Sequence, residues 1–384
     1  MIIVIADDLT GAAELGGIGL RYNLRVEITN QIGVDFTTGT ELLVINTNTR
    51  SMAVETAMEQ LRRALNWIEQ LPYSFLFKKV DSVLRGHVLA EINMQLAHMH
   101  LKRALLLPAN PRLGRIIHHG KYYVQGQEIH ETHFSNDPEF PIKNADVLHM
   151  VGAGEGAKVM TWRDIFPEEG LVVGEVLTEE ELNKWMQLVP DDVLLAGGSS
   201  AFIAFLTQKM AVQGLHKEDT SDTFLGFKRP CLFVCGSNYK KSVQRVQAWR
   251  MANEPVCYLP LIQPTEAING QQLYSWIERV KAALACQQKA IVAFDNEGMA
   301  DLDFTSGFLR EQMARAVNCL LNEVFVRELV IEGGATADAI LAQRQITRLK
   351  PLEELGPGVI RCRMHKDPEI WITLKPGSYP WFIL

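Results

Sequence analysis

Short, unbroken apolar runs followed by longer amphipathic stretches constrain this chain more than any other feature. IIVIA (2–6), ELLVIN (41–46), YSFLF (73–77), RALLLP (103–108) and VLLAGG (193–198) are such runs in the first half. The stretches 11–22, 52–70, 87–99 and 199–213 have helical spacing. A strand with one face in water alternates apolar and polar residues. A run apolar at every position is covered on both faces, and intervening helices supply both the cover and the crossover. The second half repeats the pattern, with strands expected at CLFVCGS (231–237), PVCYL (255–259), AIVAF (290–294) and ELVIEGG (328–334). Helices are expected near 239–251, 266–286, 305–325 and 335–345, and two further strands at GVIRCRM (358–364) and EIWITL (369–374).

The expected fold is therefore α/β, with two domains, each a mainly parallel sheet flanked by helices, and a cleft between them. A length of 384 residues exceeds what one core normally organises. The polar, turn-rich stretch 216–230 reads as a linker between domains at 1–215 and 231–384. No repeat of fixed period is evident.

Net charge is −7, with no long basic run, which argues against a nucleic-acid partner. No apolar stretch reaches a membrane-spanning length, and Met1 leads straight into a strand without a signal-peptide pattern. The six cysteines, at 231, 235, 257, 286, 319 and 362, form no CxxC pair. Free thiols in a reducing cytoplasm are expected. Assembly into a homo-oligomer is left open.

Open parallel sheets bind ligands beyond the carboxyl ends of their strands. Polar groups converge there in the first half: Asp7, Asp8, Thr10 and Gly11 after the first run, and Arg50 after the second. Lys79, Asp81, Ser82 and Arg85 follow the third, Asn110 and Arg115 the fourth, and Ser199 and Ser200 the fifth. One of the adjacent aspartates is explained as a helix cap. Two are not, because neighbours on extended backbone point opposite ways. Arginine and lysine beside acids suit a small, hydroxylated, anionic ligand such as a sugar acid.

In the second half, CLFVC-Gly236-Ser237 and ELVIE-Gly333-Gly334-Ala335-Thr336 end strands in glycine and hydroxyl groups before a helix, and LKPGS (374–378) follows a late strand. Glycine admits a phosphate close to the backbone, and a helix start offers free N–H groups. A nucleotide-phosphate site is expected there, without a P-loop sequence. Gly152, Gly154 and Ala157 fit a dinucleotide pattern but lack a good strand before and helix after. His130 and His133 lack further metal ligands, and His118 and His119 read as a polar loop.

ADDLTGA (6–12), KVDSVLRG (79–86) and PANPRLGR (108–115), with the later CGS (235–237), GGAT (333–336) and KPG (375–377), resemble the motifs of the four-carbon acid sugar kinase family. That family includes 3-oxo-tetronate, D-threonate and D-erythronate kinases. The resemblance implies an ATP- and Mg2+-dependent kinase that phosphorylates the terminal hydroxyl of an acid sugar. It implies acid-sugar binding in the first domain by Thr10, Gly11, Arg50, Lys79, Ser82, Asn110 and Arg115. Asp7, Asp8, Asp81 and Arg85 would carry the chemistry, and the choice of base among the three aspartates is open. In the second domain, Ser237, Gly333, Gly334, Ala335, Thr336, Lys375 and Gly377 would hold ATP. Domain closure would join the reactants.

The chain departs from the family pattern at Ala13-Glu14, where Asn-Asp is common, and at Pro376, where serine is usual and an N–H is lost. Pro376 motivates one alternative, a sugar-acid-binding protein with a degenerate kinase site. A sugar-phosphate hydrolase using Asp7 or Asp8 is the other, and Leu9 breaks the aspartate spacing it would need.

Overall fold

The computed structural model describes residues 1–137, 139–154, 156–212, 224, 226–237, 240–260, 270–295, 304–377, 379 and 381. The chain divides into two compact units, Met1–Thr220 and Ser221–Leu384. Of the stretch expected to be a linker, residues 216–223 and 225 lie outside the described residues. Residues 226–230 run with the second unit, where Lys228 N–H donates to Glu328 (2.6 Å) and Gly226 C=O accepts from Arg361 (2.9 Å).

The first unit runs β1 (Ile2–Ala6), α1 (Leu9–Arg21), β2 (Val26–Thr29), β3 (Leu42–Asn46), α2 (Val54–Ile68), β4 (Phe75–Lys79), α3 (Val88–His98) and β5 (Arg103–Leu107). It continues through β6 (Arg115–His118), β7 (Lys121–Val124), β8 (Gln127–Glu128), α4 (Val147–Val151), β9 (Ala157–Met160), β10 (Gly170–Gly174), α5 (Glu179–Leu188), β11 (Val193–Gly197) and α6 (Ser199–Val212). Its main sheet is parallel throughout, in the order β2-β3-β1-β4-β11-β5-β10-β9, and β6-β7-β8 form a small antiparallel sheet. One face of β1 and β3 (Ile3, Ile5, Leu43, Ile45) packs on Leu61, Leu65 and Ile68 of α2. The other face carries α1 and α6, with Phe75 stacked on Phe205 at 4.0 Å.

From β1 the chain crosses to β2 and β3 on one side, and β4 lies on the other. That reversal opens a crevice beyond the carboxyl ends of β1 and β4. The second unit does the same. It runs β12 (Cys231–Cys235), α7 (Lys240–Met251), β13 (Val256–Leu259), α8 (Gly270–Gln287), β14 (Lys289–Phe294), α9 (Ser306–Glu323), β15 (Glu328–Glu332), α10 (Gly334–Gln343), β16 (Arg348–Gly356), β17 (Val359–Met364) and β18 (Trp371–Lys375). The order β13-β14-β12-β15-β18 is parallel, and β17 and β16 add antiparallel strands. The reversal falls between β12 and β15.

The α/β expectation holds in both units. The apolar-run criterion missed β2, β6 to β10 and β16 because they are short or interrupted. VEIT carries a buried Glu27, AKVM a lysine, and GLVVG opens on glycine. RLKPLEELG contains Pro351, beside which the pairing with β17 shifts register.

Candidate active site

At the reversal of the first sheet, Arg50 is the hub. Its guanidinium donates to both carboxylate oxygens of Asp7 (2.8 and 2.9 Å) and to Oδ1 of Asp8 (2.8 Å), and stands 3.6 Å from Asp81. Arg85 holds Asp81 through two donors (2.9 and 2.8 Å) and reaches Asp137 with a third (2.9 Å). Asp8 is also the cap of α1, accepting from Gly11 N–H at 2.9 Å and from the Thr10 hydroxyl. Both aspartates thus face one guanidinium, although extended backbone would point them apart. The strand stops at Ala6, and Asp8 turns in to cap the helix.

A Cβ on Gly11 would lie 2.6 Å from Asp8 Oδ1 and 3.2 Å from Lys79 Nζ, so glycine is what lets the helix start this close to the charges. Strand alternation separates the two lysines of β4. Lys78, fully buried, pairs with Glu91 of α3, which also accepts from Thr49 (2.5 Å). Lys79 lies on the α1 side, donating to Val80 C=O (2.8 Å), with Glu14 at 3.9 Å.

The environments split the acids. Burial, with Asp8 adjacent, raises the Asp7 carboxyl despite Arg50. Burial also works against Asp8, but Arg50, Lys79 and Thr10 hold it below the ordinary value. Asp81 is buried too, yet Arg85 and Arg50 hold it well below. Arg115 donates to Ser82 Oγ (2.5 Å) and lies over the Phe134 ring at 5.4 Å. Asn110 caps the turn before it and reaches Ser199 (3.3 Å). Among the described residues Arg115 has no carboxylate partner.

In the second unit, Gly236 and Ser237 follow β12, Gly333 to Thr336 follow β15, and Pro376-Gly377 follow β18, all at adjacent strand ends. These turns interlock. A Cβ on Gly236 would lie 2.3 Å from Thr336 Oγ1, and one on Gly377 would lie 2.6 Å from Ser237 Oγ. Gly333, at φ 97°, starts α10 without a side-chain cap, which leaves first-turn N–H groups of Gly334, the exposed Ala335 and Thr336 for an anion. Lys375 is placed differently from the rest. Fully buried, it donates to Glu332 (2.6 Å) and Pro376 C=O (2.9 Å) beneath the turns, and Ser242 donates to the same Glu332 oxygen (2.9 Å). A small cavity beside Ser237 is lined also by Gln247, Tyr258, Phe294 and Asp295.

Gly236→Ala is expected to push the Thr336 turn aside, weakening binding of any anion held at these turns by about tenfold or more and costing about 1–3 kcal/mol. The double variant with Thr336→Ala should recover only part, because Thr336 Cβ itself lies at 2.9 Å. Nucleotide titration and urea unfolding of the wild type and both variants check this.

Sequence reading missed Asp137, Glu91 and Glu332. The first lies 52 residues from its partner Arg85, and pairings over such spans leave no local pattern.

Two family models define the class. One, described as a sugar-binding N-terminal domain, matches residues 2–163, and the other, a nucleotide-binding C-terminal domain, matches residues 232–379. This is the layout of a carbohydrate kinase. A D-threonate kinase of Bordetella bronchiseptica is 30% identical over 371 residues, covering 93% of this chain and 88% of that protein. A 3-oxo-tetronate kinase of Haemophilus influenzae is 23% identical over 407 residues, covering 99% and 97%. A D-threonate kinase of Salmonella typhimurium is 33% identical over 151 residues, 39% of this chain and 36% of that protein. The crystal structure of a Haemophilus influenzae protein shares the fold, with a TM-score of 0.72 at 20% identity, covering 98% of this chain and 97% of that one. The chain belongs to the four-carbon acid sugar kinase family.

Proposed function

We propose that this protein transfers the γ-phosphoryl group of ATP to the terminal hydroxyl of a four-carbon acid sugar of the threonate, erythronate or 3-oxo-tetronate type. The first unit binds the acid sugar and the second the nucleotide. The observation that carries the reading is the charge cluster at the reversal of the first sheet, in which Arg50 organises three aspartates and Arg115 has no carboxylate partner among the described residues.

That remaining cation, Arg115, is the group we assign to the substrate carboxylate, since Arg85 already holds Asp81 and Asp137. Asp8 is the most exposed of the three aspartates, at 14% of its side chain. It is held ionised by its neighbours, and its Oδ2 is engaged by the Thr10 hydroxyl, which can rotate away to admit a substrate hydroxyl. Asp8 is therefore assigned to orient that hydroxyl and accept its proton. Asp7, buried against Arg50, positions the guanidinium. Phosphoryl transfer asks mainly for such positioning and for charge neutralisation.

Ser237 and the start of α10 suit the phosphates. Asp295 lines the same cavity as Ser237 and carries the carboxylate oxygens a hard cation takes, and Mg2+ arriving with the nucleotide would supply further neutralisation.

The test is ADP release with Mg-ATP across erythronate, threonate and the 3-oxo-tetronates in both hands. Asp8→Asn should lower kcat by about 10²–10⁴ with KM little changed. Arg115→Gln should mainly raise KM for the acid sugar. Silence across the whole panel from folded protein that still binds an acid sugar would favour the non-catalytic reading that Pro376 suggests.

A further inference from the structure

We infer that His118, His119 and Glu175 form a site for a borderline divalent transition metal, Zn2+ in the first instance, apart from the acid-sugar and nucleotide sites. One ligand atom from each of the three residues lies within 4.8 Å of the other two. Two imidazole nitrogens and one carboxylate oxygen make the donor set that favours Zn2+ over Mg2+, with a position left for water. From sequence His118 and His119 read as a polar loop, because Glu175 lies far beyond them along the chain.

The backbone brings the donors together and holds them. β6 and β7 are joined by a two-residue turn in which His119 (φ 47°) and Gly120 (φ 72°) both have positive φ, the geometry of a tight hairpin. Such a turn puts His118 at the last strand position and His119 at the tip, with their rings 3.9 Å apart. The segment after β10 is locked alongside by two backbone bonds between Ile117 and Val176 (3.1 and 3.2 Å). Gly120 N–H donates to Glu175 Oε1 (2.8 Å), which orients the carboxylate and leaves Oε2 for a metal. Trp185 fixes the same residue from behind, donating its indole N–H to Glu175 C=O (3.0 Å). The metal would clasp the hairpin to the end of β10. His119 is exposed, so the small approach needed to reach bonding distance is a side-chain rotation.

The experiment titrates metal-free, full-length protein with ZnCl2 by calorimetry and follows CoCl2 by its visible absorption. One equivalent should bind, with the intense d–d bands of a low-symmetry Co2+ site, and thermal unfolding should move upward on addition of Zn2+. His118→Ala and His119→Ala should each weaken binding by roughly a hundredfold or more, since even indirect partners of metal ligands are worth 10–100-fold. Glu175→Gln keeps an acceptor for Gly120 N–H, so it should fold normally while binding weakly. Undiminished stoichiometry and affinity in the two histidine variants, or no binding by the folded wild type at micromolar metal, would overturn the assignment.

Discussion

Arg50→Ala is expected to cost about 3–5 kcal/mol of stability and to abolish measurable ADP release. Arg50 is the shared counter-charge of Asp7 and Asp8 and stands near Asp81, and its removal strands acids in a buried site. A protein can answer only by protonating them or by opening the site to water, and either destroys the arrangement that would orient a substrate hydroxyl.

The pH dependence gives an independent readout. Asp8 and Asp81 titrate below their ordinary values in the folded chain. Their contribution is therefore complete above the unfolded carboxyl value, about 3.9, and is lost as pH falls through the depressed folded values. Without Arg50 that acid limb should move to higher pH. Urea unfolding of wild type and variant between pH 3 and 7, together with steady-state kinetics, measures both effects. A variant with wild-type stability and an unmoved acid limb would show that Arg50 is not the hub the geometry describes.

Lys375→Met should be comparably severe in the second unit, at about 3–5 kcal/mol, because among the described residues it leaves the buried carboxylate of Glu332 with Ser242 alone as a donor. Glu332 Oε2 already lacks a partner among the described residues. Adding Glu332→Gln should restore much of the loss, since replacing both members of a buried ion pair is far milder than breaking it. Affinity for the nucleotide of the proposed reaction should fall in step with stability and recover with it. If Lys375 instead touched a phosphate, the single variant would unfold normally, lose ATP binding and gain nothing from Glu332→Gln.

The architecture was legible because it is written in short-range patterns. IIVIA, CLFVC and AIVAF are apolar at every position and became buried parallel strands. The meeting of Asp7, Asp8, Arg50, Asp81 and Arg85 was legible for the same reason, since the residue types after each strand are local facts. What each residue does was not. ADDLTGA shows two acids, but only the folded chain shows that Asp8 caps α1 while Asp7 lies under Arg50. Lys78 and Lys79 are indistinguishable as letters, and the pleat sends one to Glu91 and the other toward α1. Lys375 sits in a motif that suggests phosphate contact, yet a glutamate 43 residues earlier claims its ammonium.

In both units the residues assigned a role gather at the carboxyl-end rim of a parallel sheet. The turns at the opposite rim, around Leu24, Ser74, Lys102 and Asp192 in the first unit, carry none of the residues assigned a role in either reaction half. That division makes the amino-end rim the natural place to engineer this chain. Peptide tags or reporter insertions can enter there, on ground where drift in sequence and loop length is not answerable to the residues assigned a role.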